Sequence, residues 1–326
     1  MHICLVIDAK LPVQGYGGTE RVVYWLGRAL YDAGHKVTFL AQQSKLDFAD
    51  VIVIDKNKRL EDQLPESVDI VHLHSGFDMP VDIPACQTIH GNCREVTIFH
   101  PNSIFVSNSH AENHGASAFV YNGLDARDYG EVEFNIARNS YVFLAKAAWR
   151  VKNVKGAIRV AELANSSIDV LGGHRLNFKM GFRLTLSAHA HFHGMVDDSL
   201  KIPYLRQARG LIFPVLWPEP FGVAVIESLY FGTPVFATPY GSLTEIVNQD
   251  VGFLSNSAFE LATAARQWAS FDRRAIHEYW ERNFSAKVMA KKYITYYTSI
   301  LDGQNLHAAP IVANPVRASQ MMPWTM

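Results

Sequence analysis

Two glutamates, eight positions apart, are the residues of this sequence that most directly suggest chemistry. Glu219 and Glu227 flank the turn Pro220–Gly222 and an apolar run that begins at Val223. Proline has no backbone N–H and glycine is conformationally permissive, so the turn predicts a helix that begins at about Gly222. A helix start offers free N–H groups and a positive dipole end to an anion. A sugar carrying a diphosphate would fit this arrangement, although an ordinary helix N-terminus with acidic residues is the simpler alternative.

The same segment resembles the E-x7-E signature of retaining, nucleotide-sugar-dependent glycosyltransferases of the GT-B fold, in the large family four (glycosyl transferases group 1). Two later blocks are also similar to family patterns: residues 228–235 (S-L-Y-F-G-T-P-V) and residues 241–247 (G-S-L-T-E-I-V). In the second block Ser242 replaces the family's second glycine. Weaker similarities run from Gly15 to about Leu301.

The resemblance implies a role for each residue of this motif. Glu227 would bind the ribose hydroxyls of the donor, and Glu219 would contact the donor sugar. The segment from Pro220 to Val223 would also lie on the donor, with the backbone amides of Phe221, Gly222 and Val223 on sugar hydroxyls or the diphosphate.

A departing diphosphate needs positive charge, and the sequence has no D-x-D motif to hold a divalent metal on it. Fixed side-chain charge is the alternative. In residues 144–153, the spacing places Lys146 and Lys152 where the family has an Arg and a Lys. Lysine keeps the charge of arginine but loses its bidentate fork. Arg150 is a candidate for the missing guanidinium and Lys155 is a further candidate, although a solvated surface charge explains any one of them. We expect no metal and no cofactor.

A glycine-rich loop, residues 15–21 (G-Y-G-G-T-E-R), follows the first predicted strand and opens a helix. Glycine allows backbone N–H groups to approach a pyrophosphate closely. By resemblance, Gly17 and Gly18 would face the donor phosphates. Thr19 is the predicted N-cap and Arg21 a candidate contact on the acceptor side. A tight strand-to-helix connection without a ligand is the alternative.

A histidine at the end of a predicted strand is the next candidate. His90 stands where many family members carry a histidine close to the donor sugar. A buried, hydrogen-bonded structural histidine is the competing interpretation, because the chain has fourteen histidines.

Histidines at 189, 191 and 193 alternate along another predicted strand. Alternation puts the three side chains on one face, but no Asp, Glu or Cys joins them at a spacing typical of zinc ligands. We therefore expect no metal there. His193, Gly194 and Met195 are interpreted as the strand-end loop where this fold holds the nucleotide base.

Composition is that of a soluble globular protein. The 326 residues are 48% hydrophobic and 19% charged, with a formal net charge of −1. Nothing global indicates nucleic acid or strong capture by an anionic membrane. The three cysteines fit a reducing cytosol, and Cys4 reads as a core residue of a buried strand. No run of roughly 18 apolar residues could span a bilayer. A cytoplasmic location is expected, with peripheral contact at the inner face of the membrane left open.

Short apolar runs alternate with helical patterns, which predicts βαβ units and parallel sheets. We expect an α/β protein of the GT-B type: two Rossmann-like, doubly wound domains with a cleft between them. Residues 1–138 would form the acceptor-side domain and residues 139–284 the nucleotide-sugar domain. Residues 126–138, polar and irregular, read as a linker. By resemblance, the helix at 285–302 would return to the first domain. Residues 303–326 read as a flexible tail.

These observations favour a retaining, metal-independent hexosyltransferase that uses a nucleotide-sugar donor, with a UDP-sugar preferred to GDP-mannose. The acceptor would be a hydroxyl of a glycan or lipid-linked intermediate in cell-surface polysaccharide or lipopolysaccharide synthesis. Two alternatives stay open: a sugar-nucleotide epimerase or hydrolase on the same fold, and a non-catalytic sugar-nucleotide-binding protein.

Overall fold

The structure, a computed structural model, describes residues 1–13, 15, 17–42, 44–80, 82–178, 180–315 and 321–326. This part of the chain forms two compact units. The first contains Met1–Asp125 and the described residues of 284–316, and the second contains Ala126–Asn283 and the described residues of 317–326.

The described elements alternate between strands and helices along most of the chain. The strands are β1 (His2–Ile7), β2 (Lys36–Ala41), β3 (Asp50–Val53), β4 (Ile70–Leu73), β5 (Ala85–Ile89), β6 (Thr97–Phe99), β7 (Ser103–Phe105), β8 (Ser140–Leu144), β9 (Ile168–Leu171), β10 (Leu176–Asn177), β11 (Arg183–Leu184), β12 (Ala190–Phe192), β13 (Ala208–Phe213), β14 (Val235–Ala237), β15 (Gly252–Leu254) and β16 (Ile311–Ala313). The helices are α1 (Gly18–Asp32), α2 (Asn108–Asn113), α3 (Val154–Leu163), α4 (Asp198–Arg206), α5 (Val223–Tyr230), α6 (Leu243–Ile246), α7 (Ala258–Ala265), α8 (Arg273–Phe284) and α9 (Ala286–Leu301).

Each unit is built on a parallel sheet of six strands. The order is β3-β2-β1-β4-β5-β7 in the first unit and β12-β9-β8-β13-β14-β15 in the second. All neighbouring pairs in both sheets are parallel. In each sheet the chain order reverses beside the first strand, β1 or β8. Ligands of doubly wound sheets bind at the carboxyl ends of strands at such a switch point. The predicted doubly wound α/β class is confirmed.

The sheet of the first unit has a continuous apolar core. Every residue of β1 is buried, as expected for a parallel strand covered on both faces. Cys4 packs with Val6, Leu40 and Val71, which confirms its interpretation as a core residue. Burial raises the pKa of the Cys4 thiol to about 12, so the thiolate needed for reactivity is disfavoured.

Helix α9 lies in the first unit and supplies two buried tyrosines to it. The Tyr297 hydroxyl is 2.7 Å from Nδ1 of His72, and the Tyr293 hydroxyl is 2.9 Å from the Thr88 hydroxyl. The chain leaves this unit after Asp125 and re-enters it at Phe284. Leu124 and Ser285, at these two crossings, form a parallel bridge.

Residues 126–138, predicted to be a linker, lie inside the second unit. Tyr129 is 2% exposed, and its hydroxyl donates to Glu227. Arg138 is buried and donates to the carbonyl oxygens of Phe231, at the end of α5, and Ala208. The polar side chains that suggested an irregular linker satisfy buried carbonyl and carboxylate oxygens instead.

The segment predicted to be a flexible tail contains regular structure. Strand β16 pairs antiparallel with β6, and Nε2 of His307 accepts from the backbone N–H of Ser117 at 3.0 Å. Further on, the N–H of Met322 donates to the carbonyl oxygen of Leu216 at 2.9 Å. The prediction is therefore wrong for residues 303–315 and 321–326, while residues 316–320 lie outside the described part of the chain.

Candidate functional site

The motif with the two glutamates occupies the loop between β13 and α5, at the carboxyl edge of the second sheet. Gly222 is the N-cap of α5 and has φ +85°, a left-handed conformation that favours glycine. The helix then begins at Val223, which confirms the predicted start. Glu219 lies in the loop, and Glu227 lies a little over one turn into the helix.

Glu219 is buried and holds a buried lysine. Its side-chain oxygen Oε2 accepts from the Lys152 ammonium at 2.6 Å and from the Trp217 indole N–H at 2.6 Å. Lys152 and Glu219 are 9% and 6% exposed. The ammonium also lies 5.1 Å from the ring centroid of Trp217 and 5.3 Å from that of Phe213. Two predicted site residues that are far apart in the sequence are thus in direct contact.

The backbone around Lys152 explains how the lysine reaches Glu219. Asn153 adopts a left-handed φ of 54° and caps α3, since its side chain accepts from the Gly156 N–H. Its amide nitrogen Nδ2 donates to the Pro214 carbonyl at 3.0 Å. The Leu216 N–H donates to the Val151 carbonyl at 2.7 Å. The loop after β8 is therefore fastened to the loop after β13, on the two sides of the switch point.

The other candidate cations near β8 do not share this position. Lys146 lies with its ammonium 5.6 Å from the ring centroid of Trp149. Arg150 is exposed and lines a cavity of about 460 Å³ together with Lys155. Of the four cations considered from the sequence, Lys152 is the one in contact with Glu219. Roles on a diphosphate stay predictions for Lys146, Lys152 and Arg150.

Glu227 is buried with two partners that sequence reasoning missed. Its Oε1 accepts from the Tyr129 hydroxyl and from the Lys201 ammonium, the latter at 2.6 Å. Lys201 also lies 2.6 Å from Oδ1 of Asp198. The carboxylate is therefore neutralised by a cation inside the second unit. Lys201 lies three positions after Asp198, at the spacing of an ion pair on a helix, which is a signal that could have identified it. No comparable signal in the sequence identifies Tyr129.

The block that begins at Gly241 supports the glutamate loop. Gly241 forms a parallel bridge with Glu219. The Ser242 N–H donates to the Glu219 carbonyl at 3.0 Å, and the Ser242 hydroxyl donates to the Phe221 carbonyl at 2.8 Å. Serine in place of the family's second glycine thus adds a hydrogen bond to the loop.

The predicted base-binding loop lies at the same edge of the sheet. The N–H groups of Gly172 and Gly173 donate to the Gly194 carbonyl at 2.7 and 3.0 Å. His193 is held between Oδ1 of Asp169, 2.7 Å from its Nε2, and the Tyr204 hydroxyl, 3.1 Å from its Nδ1.

The rest of that loop and the neighbouring histidines are less enclosed. Met195 is 48% exposed. His191 is exposed on β12, and Nδ1 of His189 is 2.9 Å from the Ser166 carbonyl. Among the residues that the structure describes, no group of three or more His, Cys, Asp or Glu side chains is arranged to hold a metal ion.

In the first unit, the glycine-rich loop leads into α1. Gly17 is the N-cap and the helix begins at Gly18, so the prediction of Thr19 as the cap is wrong. Glu20 lies in the first turn, and the Arg21 guanidinium donates to the Gly15 carbonyl. Gly17 and Gly18 are at the helix start as predicted. Residue 16 of this loop lies outside the described residues.

His90, also in the first unit, is partly buried and lies at the end of a chain that continues with the buried His74 and His72. Its Nε2 is 2.9 Å from Nδ1 of His74, whose ring lies 4.0 Å from that of His72. Burial lowers the pKa of His90 to about 4. Burial, and to a smaller extent the repulsion that a protonated His90 would exert, lowers the pKa of His72 to about 3. These imidazoles are therefore neutral at pH 7, and His90 can offer a hydrogen bond but no charge.

Comparison with known protein families matches most of the second unit. Residues 133–275 match the glycosyl transferases group 1. D-rhamnosyltransferase WbpZ of Pseudomonas aeruginosa is 27% identical over 113 residues, which are 34% of this chain. The aligned region covers only 28% of WbpZ.

Solved structures show the fold over more than nine-tenths of this chain. AviGT4, a glycosyltransferase involved in avilamycin A biosynthesis, has a TM-score of 0.78 at 21% identity, covering 93% of this chain and 98% of that one. HepE of Anabaena, solved with UDP-glucose, has a TM-score of 0.60 at 16% identity, covering 92% and 100%. WaaG, a glycosyltransferase involved in lipopolysaccharide biosynthesis, has a TM-score of 0.56 at 14% identity, covering 92% and 98%.

The resemblance drawn from the motifs is confirmed for residues 133–275. Residues 133–275 are a glycosyl transferases group 1 region, and the protein has the GT-B fold. In the part of the chain that the structure describes, no helix is long and apolar enough to cross a membrane.

Proposed function

We propose, from the glycosyl transferases group 1 region and the GT-B fold, that this protein is a retaining glycosyltransferase. It moves a sugar from a nucleotide-diphosphate sugar to a hydroxyl of a glycan or lipid-linked acceptor. The observation that carries the proposal is the buried Lys152–Glu219 pair, which places a cation and a carboxylate together beside the start of α5.

The chemistry follows from what this pair can offer a departing diphosphate. The bond between the anomeric carbon and the diphosphate oxygen breaks as the acceptor oxygen attacks the same face. The acceptor proton then passes to the leaving diphosphate. Lys152, with Lys146, stabilises the negative charge that develops on the leaving group, and Glu219 contacts the donor sugar. Because the ammonium is already buried and oriented by Glu219 and two rings, little reorganisation is needed at the moment of reaction.

The remaining donor contacts are assigned to neighbouring parts of the second unit. Glu227 binds the ribose, the amides of Phe221 to Val223 bind sugar hydroxyls or the diphosphate, and the loop at His193–Met195 holds the base. Gly17, Gly18 and His90 belong to the first unit, and their contribution to the donor stays a prediction.

A UDP-sugar is the favoured donor, and metal is not required. The choice of base is supported by the solved complex of HepE with UDP-glucose. Synthesis of a cell-surface polysaccharide or lipopolysaccharide is supported by the likeness to WbpZ and WaaG.

The experiment that tests this proposal is a thermal-shift panel of UDP-, GDP- and ADP-sugars, followed by donor hydrolysis and NMR of the product's anomeric configuration. A matching donor at about 100 times its dissociation constant should stabilise the protein by roughly 2.7 kcal/mol. A flat response to every nucleotide and nucleotide sugar would overturn the proposal. Turnover with inverted configuration would overturn the retaining mechanism alone.

A further inference from the structure

The hairpin of β10 and β11 in the second unit turns polar side chains toward the protein and apolar side chains outward, the opposite of an ordinary surface hairpin. Leu176 pairs with Leu184 and Asn177 with Arg183, so successive side chains point to alternate faces. Arg183 is buried, and its guanidinium donates to the carbonyl oxygens of Ala147 and His174. The polar face of the hairpin therefore points into the protein.

The outward face consists of large apolar side chains. Leu176 is 47% exposed, Leu184 is 50% exposed and Leu186, two residues beyond β11, is 83% exposed. Phe178 and Phe182, at 74% and 70%, lie side by side with ring centroids 5.8 Å apart. A soluble two-stranded hairpin would present its polar side chains to water, so this contiguous apolar face indicates a partner of low polarity.

The charge of the same segment identifies the kind of partner. Residues 170–196 contain no Asp or Glu, and Arg175 among them is exposed. The cavity of about 460 Å³ beside the hairpin is lined by Arg150 and Lys155, and none of its described lining residues is acidic. Glu162, which accepts from the Ser187 hydroxyl beside the hairpin at 2.6 Å, is itself paired with Arg159 at 3.6 Å. The charge beside the apolar face is therefore mainly positive, although the whole chain is nearly neutral.

We propose that the exposed side chains of Leu176, Phe178, Phe182, Leu184 and Leu186 form a docking surface for an anionic phospholipid bilayer. The leucine and phenylalanine side chains enter the interfacial region, and the surrounding cations attract the lipid phosphates. A second copy of this chain is a poorer occupant, because two such faces in contact would bring like charges together. The proposal goes beyond the proposed function, since it requires neither donor binding nor catalysis.

Vesicle co-sedimentation of the full-length protein tests this surface, with vesicles of phosphatidylcholine alone and of phosphatidylcholine mixed with phosphatidylglycerol. We expect binding to the anionic vesicles that weakens as salt is added. The double variant Phe178→Ser/Phe182→Ser should lower the partition coefficient on the order of tenfold or more. Leu186→Ser should lower it less. Phe259→Ser is the matched control, because Phe259 is 64% exposed on α7, and it should bind as the wild type does.

Thermal unfolding midpoints of all variants verify that they fold, since every substituted side chain is exposed. Absence of wild-type binding to the anionic vesicles would overturn the proposal, as would an equal loss in Phe259→Ser. A wild-type dimer in light scattering that the double variant converts to monomer, without any vesicle binding, would instead assign the face to a second copy. A failed donor panel would leave the vesicle result unaffected, so the two proposals fail separately.

Discussion

Gly241 lies so close to Glu219 that a Cβ atom on Gly241 would stand 2.3 Å from the Glu219 carbonyl oxygen and 2.4 Å from its backbone nitrogen. Its φ of +63° is also one that other residues rarely adopt. The Ser242 N–H also donates a hydrogen bond to the Glu219 carbonyl. The block at residues 241–247 therefore packs directly against the backbone of the glutamate loop and holds it in place. Although the two blocks are separate in the sequence, they contact each other in the structure, and this contact fixes the position of the Glu219 carboxylate.

Gly241→Ala should therefore lower turnover strongly although Gly241 carries no functional group. The added methyl group must displace the Glu219 backbone, which moves the carboxylate away from Lys152. Gly303→Ala is the matched control, because Gly303 also has a positive φ, of +80°, but has open space at its Cβ position. The control should lose only the conformational energy of about 1–2 kcal/mol. Steady-state kinetics and thermal unfolding of both variants measure the difference. Similar kinetic losses in the two would show that Gly241 does not position Glu219.

The two glutamates should separate in a nucleotide-binding experiment. Glu227→Gln should weaken the binding of UDP, because the ribose is present in UDP as well as in the sugar donor. Glu219→Gln should leave UDP affinity nearly intact but reduce turnover, since its assigned partner is the donor sugar. Glutamine is preferred to alanine because its amide oxygen can still accept a hydrogen bond from Lys152 or Lys201, although either substitution removes the charge partner of a buried lysine. Unfolding midpoints of both variants are therefore measured beside the binding. Calorimetric titration with UDP is the measurement, and equal losses of affinity would contradict these roles.

The sequence predicted the parallel sheets and the glutamate loop well, because both leave local signals. Buried parallel strands read as continuous apolar runs, and Pro220 with Gly222 marks the start of α5. The sequence does not predict the direct contact between Lys152 and Glu219. The family resemblance predicts only that both residues belong to the site.

What sequence reasoning missed depends on long-range contacts. Tyr129 and Arg138 read as parts of a polar linker, since only the tertiary fold shows the oxygens that they bind. The hairpin at β10 and β11 was missed because its apolar residues face outward, contrary to the usual pattern.

The buried histidines of the first unit should make its stability fall in acid. Their folded pKa values, about 4 for His90 and about 3 for His72, lie below the ordinary value of 6.5. The unfolded chain therefore binds more protons as the pH falls below 6.5, and stability is lost progressively toward pH 4. Each such histidine contributes up to about 1.4 kcal/mol per pH unit in this window.

Denaturant unfolding across this pH range measures the slope. His72→Gln should reduce the slope because it removes one buried titrating ring while retaining hydrogen-bonding groups toward Tyr297 and Thr88. His191→Gln, which replaces an exposed histidine on β12, is the matched control and should keep the wild-type slope. A wild-type stability that is flat between pH 6.5 and 4 would contradict the neutral histidine chain.

The last prediction concerns how the departing diphosphate is stabilised. An enzyme must offset the developing charge with a bound cation or with fixed groups of its own. If Lys152 provides that charge, activity survives excess EDTA, and Lys152→Ala lowers kcat on the order of 10²-fold. Lys152→Arg, which keeps the charge, should recover part of the loss.

Arg159→Ala, the removal of an exposed cation on α3 whose partner is Glu162, is the control and should leave kcat unchanged. Unfolding midpoints are needed beside the kinetics, because Lys152→Ala leaves Glu219 buried without its cation. Loss of turnover in EDTA that Mg²⁺ or Mn²⁺ restores would overturn this account. Asp197 and Asp198 would then be the candidate metal ligands. In the structure Asp197 caps α4 and Asp198 lies against Lys201, so a metal there would have to displace both contacts.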